Sequence, residues 1–121
     1  VKDVELLKLV REFRMGIIES RHHSKRMCYM VCAPLAGFLE FCGVKCELVE
    51  SEIIIDSEFF NHFWIRLSDG RVLDPTIDQF NRRGIRRPPV YLGKPIKLYH
   101  TPLAAESVKN VETPKTKTQE F

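Results

Sequence analysis

A cysteine, a histidine and an aspartate stand in an order and spacing that could arm a thiol: Cys28, His62 and Asp74. A thiol attacks only as the thiolate, so a catalytic cysteine needs a depressed pKa. A helix N-terminus supplies part of that through its partial positive charge. Cys28 stands where a polar, basic segment gives way to an apolar run, with Lys25 and Arg26 just ahead of it. A histidine must then take the thiol proton and return it to the leaving group. A third group must orient that histidine. His62 and Asp74 meet these needs through a hairpin, because Ser68-Asp69-Gly70 is a turn signal between two β-favouring stretches. If the turn joins paired strands, positions whose numbers sum to about 138 face one another, which puts Trp64 opposite Asp74. His62, two residues from Trp64, shares its face and lies diagonal to Asp74, about 7–8 Å away at the backbone. A one-residue slip would turn Asp74 to the other face.

Further groups could serve the same chemistry. The backbone N–H of Cys28 is the first candidate oxyanion donor. Ser24, in the loop before the cysteine, is a candidate second donor. Trp64 reads as a packing residue that shields the triad or touches substrate. Gln79 reads as a turn residue or a substrate contact. Cys32, one turn beyond Cys28, and Cys42 read as core thiols, and His100 as a surface residue. A zinc site built from Cys28-x3-Cys32, Cys42-x3-Cys46 and the neighbouring His22 and His23 is not expected. Cys28 and Cys42 are fourteen positions apart, about 21 Å along a helix, too far for one four-ligand site. No metal and no cofactor is expected.

The elements that must position these groups follow from periodicity. Residues 3–19 read as an amphipathic helix, with Leu6, Leu9, Val10, Phe13 and Ile17 on one face, Lys8, Arg11, Glu12 and Arg14 between them, and Asp3 as its cap. Cys28 to Phe41 is apolar almost all round, which predicts a buried central helix, and Gly43 stops it. Pro34 lies inside that run, so the regular helix either starts near Val31 or is kinked. Lys45–Val49, Ile53–Ile55, Phe59–Leu67, Arg71–Asp74, Val90–Leu92 and Ile96–Tyr99 read as strands. Residues 82–89 form a basic, solvated loop. Residues 1–105 read as one domain, and 106–121 as a disordered tail.

Composition sets outer limits. The 121 residues suit one domain, and 44% apolar with 29% charged content is ordinary for a globular chain. A net charge of +3 and the lack of a recognisable module do not point to nucleic acid. No apolar run is long enough to span a membrane. The start at Val1 does not resemble a signal peptide, and the cysteines lie in apolar sequence rather than polar loops, which suggests reduced thiols and a cytoplasmic setting.

Three segments carry a family resemblance. Cys28 through Gly43-Val44, with fifteen positions between cysteine and glycine, resembles the nucleophile helix of the transglutaminase-like (papain-related) superfamily. Cys32, eleven from Gly43, does not fit that spacing. Asn61-His62-Phe63-Trp64 resembles the family's His-x-Trp strand, and Asp69 to Thr76 its Asp-Pro-Thr strand. The match covers residues 26–80. Arg26 stands where the family often has glycine. The resemblance implies an α+β fold with a papain/transglutaminase-like core, a buried cysteine helix packed on an antiparallel sheet that carries His62 and Asp74. It implies a hydrolase or acyltransferase working on peptide or glutamine side-chain amides through a thioester, with a peptide or protein as substrate. Members occur in bacterial peptide maturation and in toxins, so a bacterial or phage origin is expected. The alternatives are a degenerate binding module of the same fold, or a secreted effector that deamidates glutamine.

Overall fold

A computed structural model describes residues 2–18 and 28–103. The chain runs α1 (Asp3–Ile18), α2 (Cys28–Phe41), β1 (Cys46–Ile55), β2 (Glu58–Leu67), β3 (Val72–Asp74), a 3-10 turn (Ile77–Phe80), β4 (Tyr91–Gly93) and α3 (Lys97–His100). The four strands form one antiparallel sheet in the order β1-β2-β3-β4, an α+β architecture. Ser24 and the expected tail 106–121 lie outside the described residues.

Alternation along the strands assigns two faces. On one, Ile65, Leu67 and Leu73 pack with Leu6 and Val10 of α1 and Cys32, Leu35 and Leu39 of α2. On the other, Val49, Trp64 and Val72 form one cluster, and Ile53 and Ile55 join Ile77, Phe80 and Tyr99 in the next. The sheet is thus the middle of three layers, with α1 and α2 on one side and the segment from the 3-10 turn to α3 on the other.

Several local expectations are corrected. Residues 46–55 make one strand rather than two, because Val49, Ser51, Ile53 and Ile55 all turn to one buried face while Glu52 and Ile54 turn out. Asp56 (φ 52°) and Ser57 (φ 69°) form the two-residue turn into β2, and positive φ at both matches the right-handed twist of a hairpin. Ile96–Tyr99 is not a strand: residues 97–100 coil into α3, with Tyr99 and His100 N–H both donating to Ile96 O. Asp3 is the first residue of α1 and pairs with Arg71 at 2.8 Å. Arg14 does not face solvent but is buried on Asp78 at 2.8 Å. In the basic loop Asn81 clasps Arg87 N–H and C=O, and the Arg87 guanidinium sits over the Tyr99 ring.

Helix α2 shows both a fulfilled and a failed expectation. It ends as a Schellman motif: Gly43 at φ 88° donates to Glu40 O, and Val44 N–H donates to Leu39 O. It runs unbroken from Cys28 through Pro34, so it does not start near Val31. It is not buried all round. Cys28, Val31, Cys32, Leu35 and Leu39 form its buried face, while Tyr29, Met30, Phe38 and Phe41 are exposed, as is Cys42, which is no core thiol.

Candidate active site

The hairpin register is the one that Ser68-Asp69-Gly70 dictates. Ile65 pairs with Leu73 and Arg66 with Val72, so Trp64 and Asp74 follow as the next opposed positions. His62 and Asp74 share a face, and the His62 Nε2 lies 2.6 Å from Asp74 Oδ2 with both side chains fully buried. Backbone separation across a diagonal is closed by one imidazole and one carboxylate.

Cys28 comes from the helical layer on the far side of the sheet. Strand β3 has only three residues and ends at Asp74, whereas β2 begins at Glu58. Helix α2 passes the β2 backbone there: Cys28 Sγ is 3.8 Å from Asn61 O, and Cys32 Sγ is 3.4 Å from Phe63 O. The His62 ring lies close enough to the Cys28 thiol to lower its pKa. Asp74 occupies Nε2, which leaves Nδ1 for the thiol. Gln79 Nε2 approaches the same Nδ1 at 3.4 Å and Thr76 Oγ1 at 3.3 Å.

The electrostatics form one chain. Burial raises the pKa of Asp74, but the facing His62 charge and hydrogen bonds from His100 and His62 outweigh it and hold the carboxyl down to about 2. Burial likewise opposes a charged His62, yet the Asp74 carboxylate raises its pKa to about 9. At Cys28 burial pushes the thiol up, and the hydrogen bonds from His62, Phe63 N–H and Gln79 more than offset it, so its pKa falls below the ordinary thiol value. Cys32, one turn on, is driven well above that value by burial and by the Asp74 charge. The two thiols of one helix are separated by chemistry as well as by position.

Cys28 opens on a groove of about 570 Å³ lined by Glu58, Phe59, Phe60, Asn61, Gln79 and Phe80. Of the three accessory candidates, Gln79 lies in this groove. Trp64 does not: it is 1% exposed, donates its indole N–H to Ser51 Oγ at 2.8 Å, and packs edge-on to His100, so direct contact with substrate is corrected to burial beneath the site.

His100 is the residue that sequence reasoning missed. It is buried, not on the surface, and its Nε2 lies 2.8 Å from Asp74 Oδ2, the oxygen that His62 also uses. It is 26 positions from Asp74, just past a segment that reads as a strand ending at Tyr99, and neither fact points inward. His62, Asp74 and His100 bring three potential metal-ligand atoms within 4.8 Å of one another. Their hydrogen bonding does not suit an ion. His100 Nδ1 accepts the Ile96 N–H at 2.9 Å, so its Nε2 must carry the proton of a neutral ring. Binding a metal there would demand loss of that proton too.

No family model, no curated protein and no solved structure matches the chain. No helix among the described residues is long and apolar enough to cross a membrane.

Proposed function

We propose that the protein is a cysteine-dependent hydrolase or acyltransferase acting on amide bonds, with Cys28 as nucleophile, His62 as general base and acid, and Asp74 as the orienting carboxylate. The observation that carries the reading is the buried His62–Asp74 pair at 2.6 Å beside Cys28, whose thiol lies 3.8 Å from the adjoining Asn61 carbonyl and lines a groove. The resemblance to the transglutaminase-like core, with its cysteine helix against a sheet bearing His and Asp, is part of the proposal.

The Cys28 sulfur, ionised opposite protonated His62, attacks the carbonyl carbon and forms the C–S bond. The carbonyl electron pair moves onto oxygen, where the Cys28 backbone N–H and the Gln79 side-chain amide are the donors. Ser24, the candidate second donor in the sequence, lies outside the described residues; Gln79, expected as a turn residue or substrate contact, is taken as that donor. His62 Nδ1 gives its proton to the departing amine as the C–N bond breaks, leaving a thioester. Water, or an acceptor amine, then adds while His62 takes its proton, and the C–S bond breaks to restore the thiol. The groove beside Phe59, Phe60 and Phe80 suits a peptide or protein segment. Four free thiols favour a reducing, cytoplasmic setting. Thiol activation and an open groove favour an enzyme over a binding module of the same fold.

A thiol alkylator tests the reading. Cys28 is expected to be labelled at least tenfold faster than Cys32, Cys42 or Cys46, with a rate that rises below the ordinary thiol value of about 8.5. Peptide and ester electrophiles are expected to add mass at Cys28, and Cys28→Ala to abolish the adduct. Equal labelling of all four cysteines in the folded chain would overturn the proposal.

A further inference from the structure

The thiol chemistry above accounts for one of the two imidazoles on Asp74. His100 approaches the same Oδ2 at 2.8 Å against 2.6 Å for His62, and Oδ1 accepts the Thr76 N–H at 3.2 Å. The buried carboxylate therefore has three donors from three parts of the chain: β2, the turn after β3, and α3. The two rings are not equivalent. His62 presents Nδ1 toward Cys28 and Gln79, so its second nitrogen can gain and lose a proton. His100 spends its second nitrogen on the backbone of its own turn, where Nδ1 accepts the Ile96 N–H at 2.9 Å. A nitrogen that accepts a hydrogen bond carries no hydrogen, so the proton of His100 sits on Nε2 and points at Asp74.

The surroundings keep it there. Trp64 meets the His100 ring edge-on with centroids 5.1 Å apart, Tyr91 stacks on it at 5.9 Å, and Tyr99 lies at 6.0 Å. The titratable groups facing His100 are thus Asp74, His62, Tyr91 and Tyr99; the nearby Arg87 guanidinium is spent on the far ring, Tyr99. The side chain itself is fully buried, so a water molecule reaches neither nitrogen from solvent.

We propose that His100 is a positioning residue, a neutral Nε2–H donor that fixes the rotation of Asp74 and keeps it ionised so that Oδ2 faces His62. The inference rests on the Cys28–His62–Asp74 reading for its catalytic consequence, but its structural content stands apart. A carboxylate held only by His62 and the Thr76 N–H can turn about its Cα–Cβ and Cβ–Cγ bonds. A third donor from α3, a separate element, removes that freedom. Because the backbone dictates the tautomer, His100 does not compete with His62 for the mobile proton: two imidazoles share one carboxylate, and one is assigned to carry charge.

Two measurements on the full chain test it. Nitrogen-15 NMR of the imidazoles in the wild-type protein at pH 7 is expected to show His100 as the Nε2–H tautomer with Nδ1 bare. A His100 ring with both nitrogens protonated, or with its proton on Nδ1, would overturn the proposal even if Cys28 proves to be the nucleophile. The second measurement separates donation to Asp74 from packing. In His100→Asn the amide oxygen can replace Nδ1 toward Ile96 but no donor reaches Asp74. In His100→Gln the longer amide can still donate to Asp74. Cys28 alkylation at pH 7 is expected to slow about tenfold in His100→Asn, and to return to within about threefold of wild type in His100→Gln. Equal rates in wild type and His100→Asn would sink the positioning role while leaving the Cys28 reading intact. Failure of the wild-type chain to label Cys28 preferentially would sink that reading while the tautomer result still stood.

Discussion

The two faces of the sheet do different work with neighbouring residues. On β3, Leu73 turns to the helical layer and joins Leu35, Leu39 and Ile65 in an apolar cluster. Asp74, the next residue, turns to the opposite layer and lies fully buried among His62, His100 and the Thr76 N–H. The first face is held by burial of apolar area, which is non-directional and tolerant of shape. The second also buries apolar clusters around Trp64 and Phe80, but at Asp74 it adds directional bonds in a low-dielectric setting, where every donor needs its acceptor. The helical side of β3 is wholly apolar while the opposite side adds a buried polar cluster to its core, and a single short strand serves both because its side chains alternate.

The largest expected effect comes from breaking that pairing at adjacent positions. Asp74→Ala removes the acceptor of both imidazoles and the charge that keeps His62 protonated. Thioester formation is expected to fall by on the order of 10³–10⁴-fold, and the pH midpoint of Cys28 alkylation to move up toward an ordinary thiol. Leu73→Ala should cost about 2–5 kcal/mol of stability through the cavity it leaves, yet keep the Cys28 midpoint where it was. Alkylation-rate profiles against pH, with denaturant unfolding of both variants, check this. A midpoint shift as large in Leu73→Ala as in Asp74→Ala would show that the faces are not separable.

The next effect is pH-dependent stability carried by one face. His62 holds its proton up to about 9 in the folded chain, against about 6.5 when unfolded. Its pairing with Asp74 is therefore fully present below about 6.5 and is lost as pH rises through about 9. Asp74, held at about 2, contributes above its unfolded value near 3.9 and loses that contribution as pH falls through about 2. Stability is expected to be greatest between about 4 and 6.5 and to drop by roughly 2 kcal/mol toward pH 9. The lowered Cys28 thiol works in the opposite sense, contributing more as pH rises; Cys28→Ala removes that contribution, and because Cys28 also helps raise His62, the loss in that background comes at lower pH than in wild type. Denaturant midpoints that do not change from pH 6 to 9 in that background would mean the pair is not ionised.

How much of this was legible depends on whether the cause was local. The Schellman stop at Gly43, the α1 stripe and the hairpin register through Ser68-Asp69-Gly70 each follow from a few adjacent residues, and the register alone puts His62 beside Asp74. The continuity of β1 was also written in alternation, but Glu50 and Glu52 around Ser51 look like a break unless the polar Ser51 is seen as an inward residue. Its reason is Trp64, whose indole it accepts across the strand pair. The burial of Arg14 and of His100 could not be read, because each depends on a carboxylate far along the chain, Asp78 and Asp74. Helix α2 was misjudged for a related reason: uniform apolarity shows that no polar face exists, but not which side meets the sheet.

The smallest effect probes the floor beneath the site. Ser51 is fully buried opposite His62 in the β1–β2 pairing, and its hydroxyl is the acceptor for Trp64 Nε1 at 2.8 Å. Ser51→Ala leaves that indole N–H buried without a partner, a loss of about 1–3 kcal/mol. Trp64 is the chain's single tryptophan, so its fluorescence reports the change directly, and unfolding monitored through it gives the energy. Trp64 also meets His100 edge-on, yet the three bonds on Asp74 do not run through Ser51. Alkylation of Cys28 is accordingly expected to stay within about twofold of wild type, since the lost bond lies outside the chain of donors. A tenfold slowing in Ser51→Ala would mean that His100 is held by the Trp64 ring rather than by Ile96 and Asp74, and the proton path would then extend one layer deeper than the hydrogen bonds alone define.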